Sequence, residues 1–123
     1  MLSALIGALS FFPLAAWAED ITISGTHTGD VTPSGASDNN VYILPGADIS
    51  CNSIFGARSA GAVFGNTVYI NGGNVSFSAY SYLDGGSSTT SDGSGSATYN
   101  RLIINNGSNV RIEGETYGGS VGA

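Results

Sequence analysis

The sequence is poor in positive charge, since it contains no lysine and three arginines against nine acidic residues, for a formal net charge of −6. Nucleic acids and anionic membrane surfaces are bound mainly by clustered basic side chains, so both are poor partners for this chain. Its single cysteine, Cys51, excludes an intrachain disulfide. A small β domain without disulfides needs length, repetition or a partner to bury enough apolar surface.

Long apolar runs are confined to residues 1–18, which carry no charge and end in the small-x-small pattern Ala16-Trp17-Ala18. This pattern is typical of a secretory signal peptide cleaved after Ala18. A transmembrane anchor is the alternative, but the run is short for a membrane span and contains Pro13. No basic residue precedes the apolar run, so we expect the natural start to lie upstream of Met1.

The remaining residues, 19–123, repeat one short phrase. Each copy has a strand of β-prone residues, a turn that contains glycine in every copy, and a β-branched residue that opens a second strand. Its triplets begin at residues 21, 41, 68 and 102, so the spacings are 20, 27 and 34 residues. Repetition at this period predicts a solenoid, in which each unit buries its apolar face against a neighbour. The copies are residues 40–49, 66–75 and 100–110, with a weaker one at 21–25.

The apolar residues of the copies keep the same alternation, which places them on one face of each strand. This predicts an all-β fold, a parallel β-helix of three to four rungs with like residues stacked about 4.8 Å apart. A small β-sandwich is the alternative, although a sandwich does not require repeats in register. The stacked apolar sets are Val41, Val68 and Leu102; Ile43, Ile70 and Ile104; Ile49, Val75 and Val110; and Cys51, Phe77 and Ile112, with Tyr42 and Tyr69 on the opposite face.

The segment 83–99 is rich in glycine, serine and threonine and accounts for the longest spacing between copies. Insertions in solenoid repeats form loops on one face, so we predict a loop that protrudes from the stack.

Residues that could carry chemistry are few. His27 is the only histidine, and we expect it at a surface strand or loop position because no second histidine or cysteine lies near it in the sequence. Glu113 and Glu115 share a strand face by alternation, as the acid and base of a polysaccharide-cleaving enzyme would, but no other reactive residue converges on them. The sequence therefore predicts no catalytic, cofactor-binding or metal-binding residues, and no enzyme activity.

Residues 65–75 are similar to the phrase "gNTVtInGGtV" that is repeated in passenger domains of bacterial autotransporters. Residues 55–62 and 116–123 resemble its companion phrase "vyGGyS-x-GA", and 83–87 are a poorer third case. The resemblance implies a right-handed β-helix at the surface of a Gram-negative bacterium. In that family a C-terminal β-barrel of the same polypeptide carries the passenger through the outer membrane. The chain holds no barrel segment, so we expect an N-terminal fragment or a truncated gene product.

These observations lead to an expected function. We expect a non-catalytic, exported β-helical segment with a structural or adhesion role at the cell surface. Its expected partners are surface molecules or glycans of a host or neighbouring cell, and further copies of itself through the ends of the solenoid. The membrane would be reached only through the missing barrel. The alternatives are a fragment of a β-helical polysaccharide-active enzyme and a small self-associating exported β protein.

Overall fold

The computed structural model describes residues 17–90, 92 and 94–122, so most of the predicted signal peptide lies outside the described residues. Within them the chain forms β-strands joined by turns and bends, and no helix. The strands are β1 (Asp20–Ile23), β2 (Thr26–Thr28), β3 (Asn40–Ile43), β4 (Asp48–Phe55), β5 (Arg58–Ser59), β6 (Ala62–Phe64), β7 (Thr67–Ile70), β8 (Gly73–Asp84), β9 (Ser87–Ser88), β10 (Ser96–Thr98), β11 (Arg101–Ile104), β12 (Ser108–Tyr117) and β13 (Ser120–Val121).

The strands assemble into four sheets in which every pairing is parallel. The orders are β1-β3-β7-β11, β2-β4-β8-β12, β5-β9-β13 and β6-β10, so from β3 onwards each strand pairs with the strand four places later. The predicted all-β class and parallel pairing are confirmed. An antiparallel sandwich does not fit this pairing. The described residues show no closed solenoid.

The core follows the alternation predicted from the repeated phrase. Val41 pairs with Val68, and Ile43 with Ile70, and all four side chains are fully buried. The next strand, β11, continues both columns with Leu102 and Ile104. Ile104 is nevertheless 48% exposed, because no strand of the described chain covers this edge of the sheet. Burial therefore falls at the last repeat, while the register stays constant.

On the opposite face of the same sheet, Tyr42 and Tyr69 stack as predicted. Their ring centroids are 5.0 Å apart and their planes differ by 7°. Such a cross-strand aromatic pair adds roughly 0.5–1.5 kcal/mol beyond the burial of the rings. Both faces of the sheet therefore favour the same register.

A buried asparagine ladder runs beside this sheet. Asn39 and Asn66 are both fully buried, and the Nδ2 of Asn39 donates to the Oδ1 of Asn66 at 2.8 Å. The Nδ2 of Asn66 in turn donates to the Oδ1 of Asn100 at 2.8 Å. Each acceptor oxygen also accepts a backbone N–H from the same donor residue. The N–H of Asn39 donates to the Oδ1 of Asn66 at 3.0 Å, and that of Asn66 to the Oδ1 of Asn100 at 3.1 Å. The ladder continues downward to Glu19, whose N–H donates to the Oδ1 of Asn39 at 2.8 Å.

A column of glycines forms a tight corner between the long strands and the sheet β5-β9-β13. A Cβ atom on Gly56 would lie 2.1 Å from the carbonyl oxygen of Gly85, and one on Gly85 would lie 2.3 Å from that of Gly118. No side chain fits at that separation, so the close backbone approach requires glycine. These three glycines belong to the three phrases at 55–62, 83–87 and 116–123, which the structure places side by side.

This placement corrects the predicted loop. Leu83 is fully buried, Ser87–Ser88 form β9, and Ser96–Thr98 form β10, so much of the segment 83–99 belongs to the sheets. The boundaries predicted from composition are too wide because these short polar strands carry no apolar alternation. Their strand conformation comes from parallel pairing with β5 and β6.

Candidate binding cleft

A cleft of about 320 Å³ lies where residues of the sheets β2-β4-β8-β12 and β5-β9-β13 meet. It is on the outer face, which is the face of these strands turned away from the core residues Ile54 and Leu83. Its volume is at the lower end of the range for small-molecule sites. Aromatic, hydroxyl and charged side chains from three successive repeats line it together with backbone at the corner. The lining residues are Phe55, Arg58, Tyr82, Ser87, Thr89, Glu115, Tyr117, Gly119, Ser120, Val121 and Gly122.

The core positions of the long strands determine which side chains reach the cleft. Ile54 and Leu83 are paired and fully buried, so their neighbours in sequence point to the outer face. One outer column therefore contains Ser53, Tyr82 and Glu115, and a second contains Phe55, Asp84 and Tyr117. The shorter strands add a third column of Arg58, Ser87 and Ser120.

Aromatic rings form one wall of the cleft. Phe55 and Tyr82 stack with centroids 6.3 Å apart and planes that differ by 24°. The guanidinium carbon of Arg58 lies 5.1 Å from the Phe55 ring centroid, which is a cation–π contact. Tyr82 and Tyr117 remain about two-fifths exposed, at 42% and 39%. Ring surface is therefore available to a ligand.

The floor of the cleft is polar and hydrogen-bonded. Asp84 lies beneath it, fully shielded from solvent, and its Oδ1 accepts the N–H of Gly86 at 2.9 Å. Its Oδ2 accepts the hydroxyl of Ser120, which also lies 3.1 Å from the Oγ of Ser87. Burial raises the pKa of Asp84, and the hydrogen bonds from Ser120 and Gly86 oppose that rise. The carboxyl thus fixes the serine hydroxyl that faces the cleft.

The two glutamates singled out in the sequence have separate surroundings. Glu115 lines the cleft, and its interaction with the Tyr117 hydroxyl raises the pKa of that tyrosine. Glu113 instead forms a 2.9 Å ion pair with Arg111 on the exposed surface. The pairing register of β12 shifts between the two glutamates, which disturbs the simple alternation expected from sequence.

His27 lies in a strand, which is one of its two expected positions, but its side chain is less exposed than a surface position implies. The residue lies in β2, half-buried, and pairs with the core residue Ile49. Its Nε2 atom is buried without a hydrogen-bond partner among the described residues. Cys51 is buried as predicted, and burial, followed by the charge of Asp30, raises the pKa of its thiol to about 11. Such a thiol stays protonated at neutral pH and is a poor nucleophile.

The part of the chain that the structure describes holds no group of three or more His, Cys, Asp or Glu residues that could bind a metal ion. Across residues 17–90, 92 and 94–122, no helix has the length and apolar character needed to cross a membrane.

Comparisons with protein-family models, with curated proteins and with solved structures find no match to this chain. The resemblance to autotransporter passengers remains an expectation from the repeated phrases.

Sequence reasoning missed the cleft, although a signal for it was present. The phrases at 55–62, 83–87 and 116–123 each contain a glycine of the corner. Aligning them on that glycine places Phe55, Asp84 and Tyr117 in one column. The depth of the cleft depends on the angle between two sheets, which no pattern of residues specifies.

Proposed function

We propose that the chain is a β-solenoid segment of an exported protein, and that it builds an extended surface for contact with other molecules. The pairing of strands from β3 onwards with the strand four places later carries this proposal. That order is what results when a chain winds repeatedly through the same sheets, adding one strand to each sheet per turn. The asparagine ladder supports it, because its steps of 20, 27 and 34 residues match the spacings of the repeated phrase.

Export is supported by the pattern of residues 1–18, which is typical of a cleaved signal peptide. Glu19 would be the first residue after cleavage, and its N–H is already held by the Oδ1 of Asn39. An adhesive or structural role at the cell surface then follows from the resemblance to autotransporter passengers. A function on the outer face is consistent with the aromatic and polar cleft found there.

A disulfide between paired residues tests the stacked register. Ser50 and Ser76 are exposed partners on adjacent strands, so cysteines at both positions should form a disulfide when Cys51 is replaced by alanine. The control variant combines Ser50→Cys with Asn74→Cys, which lies two residues out of register and beyond disulfide reach. Thiol titration and mass spectrometry should show cross-linking in the first variant alone. Equal cross-linking in both would contradict the register.

Cleavage after Ala18 tests the export part of the proposal. N-terminal sequencing of protein recovered outside the inner membrane of a Gram-negative host should begin at Glu19. The variant Ala18→Asp removes the small residue at the cleavage point and should leave the leader attached. If the unsubstituted protein still carries residues 1–18 after export, the segment acts as an anchor.

A further inference from the structure

We propose that the outer-face cleft binds an acidic oligosaccharide, with a sugar carboxylate at Arg58 and sugar rings against Tyr82 and Tyr117. The inference rests on the proposed solenoid only in that stacked repeats bring these residues together. Sugar rings present C–H groups to aromatic faces and hydroxyl groups to polar side chains. The cleft offers both kinds of surface side by side.

Arg58 supplies the specificity for a carboxylate. Among the described residues the one ion pair joins Arg111 to Glu113, so the Arg58 guanidinium has no carboxylate partner there. Its contact with the Phe55 ring restrains the side chain beside the cleft. A restrained guanidinium with free N–H groups binds a carboxylate through two parallel hydrogen bonds, which a neutral sugar cannot accept in the same way.

The remaining lining suits the body of a sugar chain. Three repeats contribute to the cleft, and successive repeats are spaced about 4.8 Å apart, so the lining extends for roughly 10 Å along the stack. Tyr82 and Tyr117 expose ring surface over this length. The hydroxyls of Ser87, Ser120 and Thr89 also line the cleft and add hydrogen-bonding groups. A short oligosaccharide fits these dimensions better than a single ring.

Arg58 and Glu115 also define the orientation of the ligand in the cleft. Arg58 lies on the first of the three contributing repeats and Glu115 on the third. Glu115 repels a carboxylate but accepts hydrogen bonds from sugar hydroxyls. The acidic end of the ligand should therefore lie at Arg58 and a neutral, hydroxyl-rich end at Glu115.

The test is a titration of the isotope-labelled exported protein, followed by amide NMR shifts. The acidic probe is a linear galactose tetramer whose terminal ring is galacturonic acid, and the neutral probe is the same tetramer with galactose at that end. We expect the acidic tetramer to bind at least tenfold more tightly and to shift amides of β9, the C-terminal end of β12 and β13. Binding of neither tetramer at millimolar concentration, or equal binding of both, would overturn the proposal.

Matched variants separate a specific site from general attraction to positive charge. Arg58→Gln should weaken binding of the acidic tetramer at least tenfold, whereas Arg101→Gln removes the same charge outside the cleft and should leave affinity unchanged. Arg58→Lys, which keeps the charge but loses the planar fork, should give an intermediate affinity. Equal losses for Arg58→Gln and Arg101→Gln would reduce the effect to net charge and refute the site.

The outcome can be distinguished from failure of the solenoid proposal. A disulfide between residues 50 and 76 without saccharide binding would contradict only the cleft assignment. Thermal unfolding of Arg58→Gln, monitored by circular dichroism, should match that of the unsubstituted protein within a few degrees. If the melting temperature drops sharply, the lost binding of Arg58→Gln is due to unfolding. The variant Tyr117→Ala, at another exposed residue of the cleft, then decides whether the cleft contacts the sugar.

Discussion

Replacing Ile70 by aspartate is expected to lower the free energy of unfolding by on the order of 4 kcal/mol or more. Ile70 is fully buried between Ile43 and Ile104 in the central column of the core. An aspartate there would place a carboxylate among apolar side chains with no partner, so the protein must bury a charge, protonate it or unfold. Circular dichroism during denaturant unfolding measures the loss.

The adjacent residue provides the control. Tyr69→Asp introduces the same charge on the outer face, where it loses the stack on Tyr42 but stays in contact with water. We expect a loss of about 1–2 kcal/mol, which reflects the aromatic pair and partial burial. If Ile70→Asp abolishes folding, Ile70→Ala supplies a measurable value near 3 kcal/mol. Equal losses at the two positions would mean that the assigned strand faces are wrong.

Asn66→Ala is expected to cost about 3 kcal/mol, because it leaves several buried polar groups without partners. The Oδ1 of Asn66 accepts both the backbone N–H and the Nδ2 of Asn39, and its Nδ2 donates to Asn100 and to the carbonyl of Ala36. Removing one side chain therefore interrupts the ladder on both sides. No water reaches the buried Asn39 to replace the lost acceptor, since that residue is fully shielded.

Asn74→Ala is the matched substitution on the surface. The Oδ1 of Asn74 accepts a 3.3 Å hydrogen bond from Asn109, but both residues are exposed and water can replace the contact. We expect a change of about 0.5 kcal/mol or less. Equilibrium unfolding in urea compares the two variants directly. A loss at residue 66 no larger than that at residue 74 would show that the ladder contributes little to stability.

The faces of the main strands could be predicted because a strand alternates with period two and the copies repeat the same alternation. That information correctly paired Val41 with Val68 and Tyr42 with Tyr69. The asparagine ladder escaped prediction for a specific reason. The first copy of the repeated phrase starts at Asn40, whereas the ladder residue is Asn39, two positions before Val41. Counting back from the apolar triplet would have aligned Asn39 with Asn66 and Asn100.

The short strands could not be predicted from the chain alone. Ser87–Ser88 and Arg58–Ser59 have two residues each and carry no apolar periodicity. Their conformation depends on a neighbouring backbone that becomes available only when the repeats stack, as in the pairing of Arg58 with Ser87. The cleft shares this origin, because it lies at the corner that these short strands create.

The unequal steps of the asparagine ladder determine which insertions and deletions in the chain the fold can accept. Asn39 and Asn66 hold equivalent places 27 residues apart. Loss of residues 39–65 by recombination would join Asp38 to Asn66 and place β7 over β1 in the register that β3 now holds. A deletion of an odd number of residues within a strand would instead shift its alternation by one position and place side chains of unlike polarity in one column. Lineages of this chain should therefore differ by whole turns, or by residues added between strands, while the segments that pair keep a constant length.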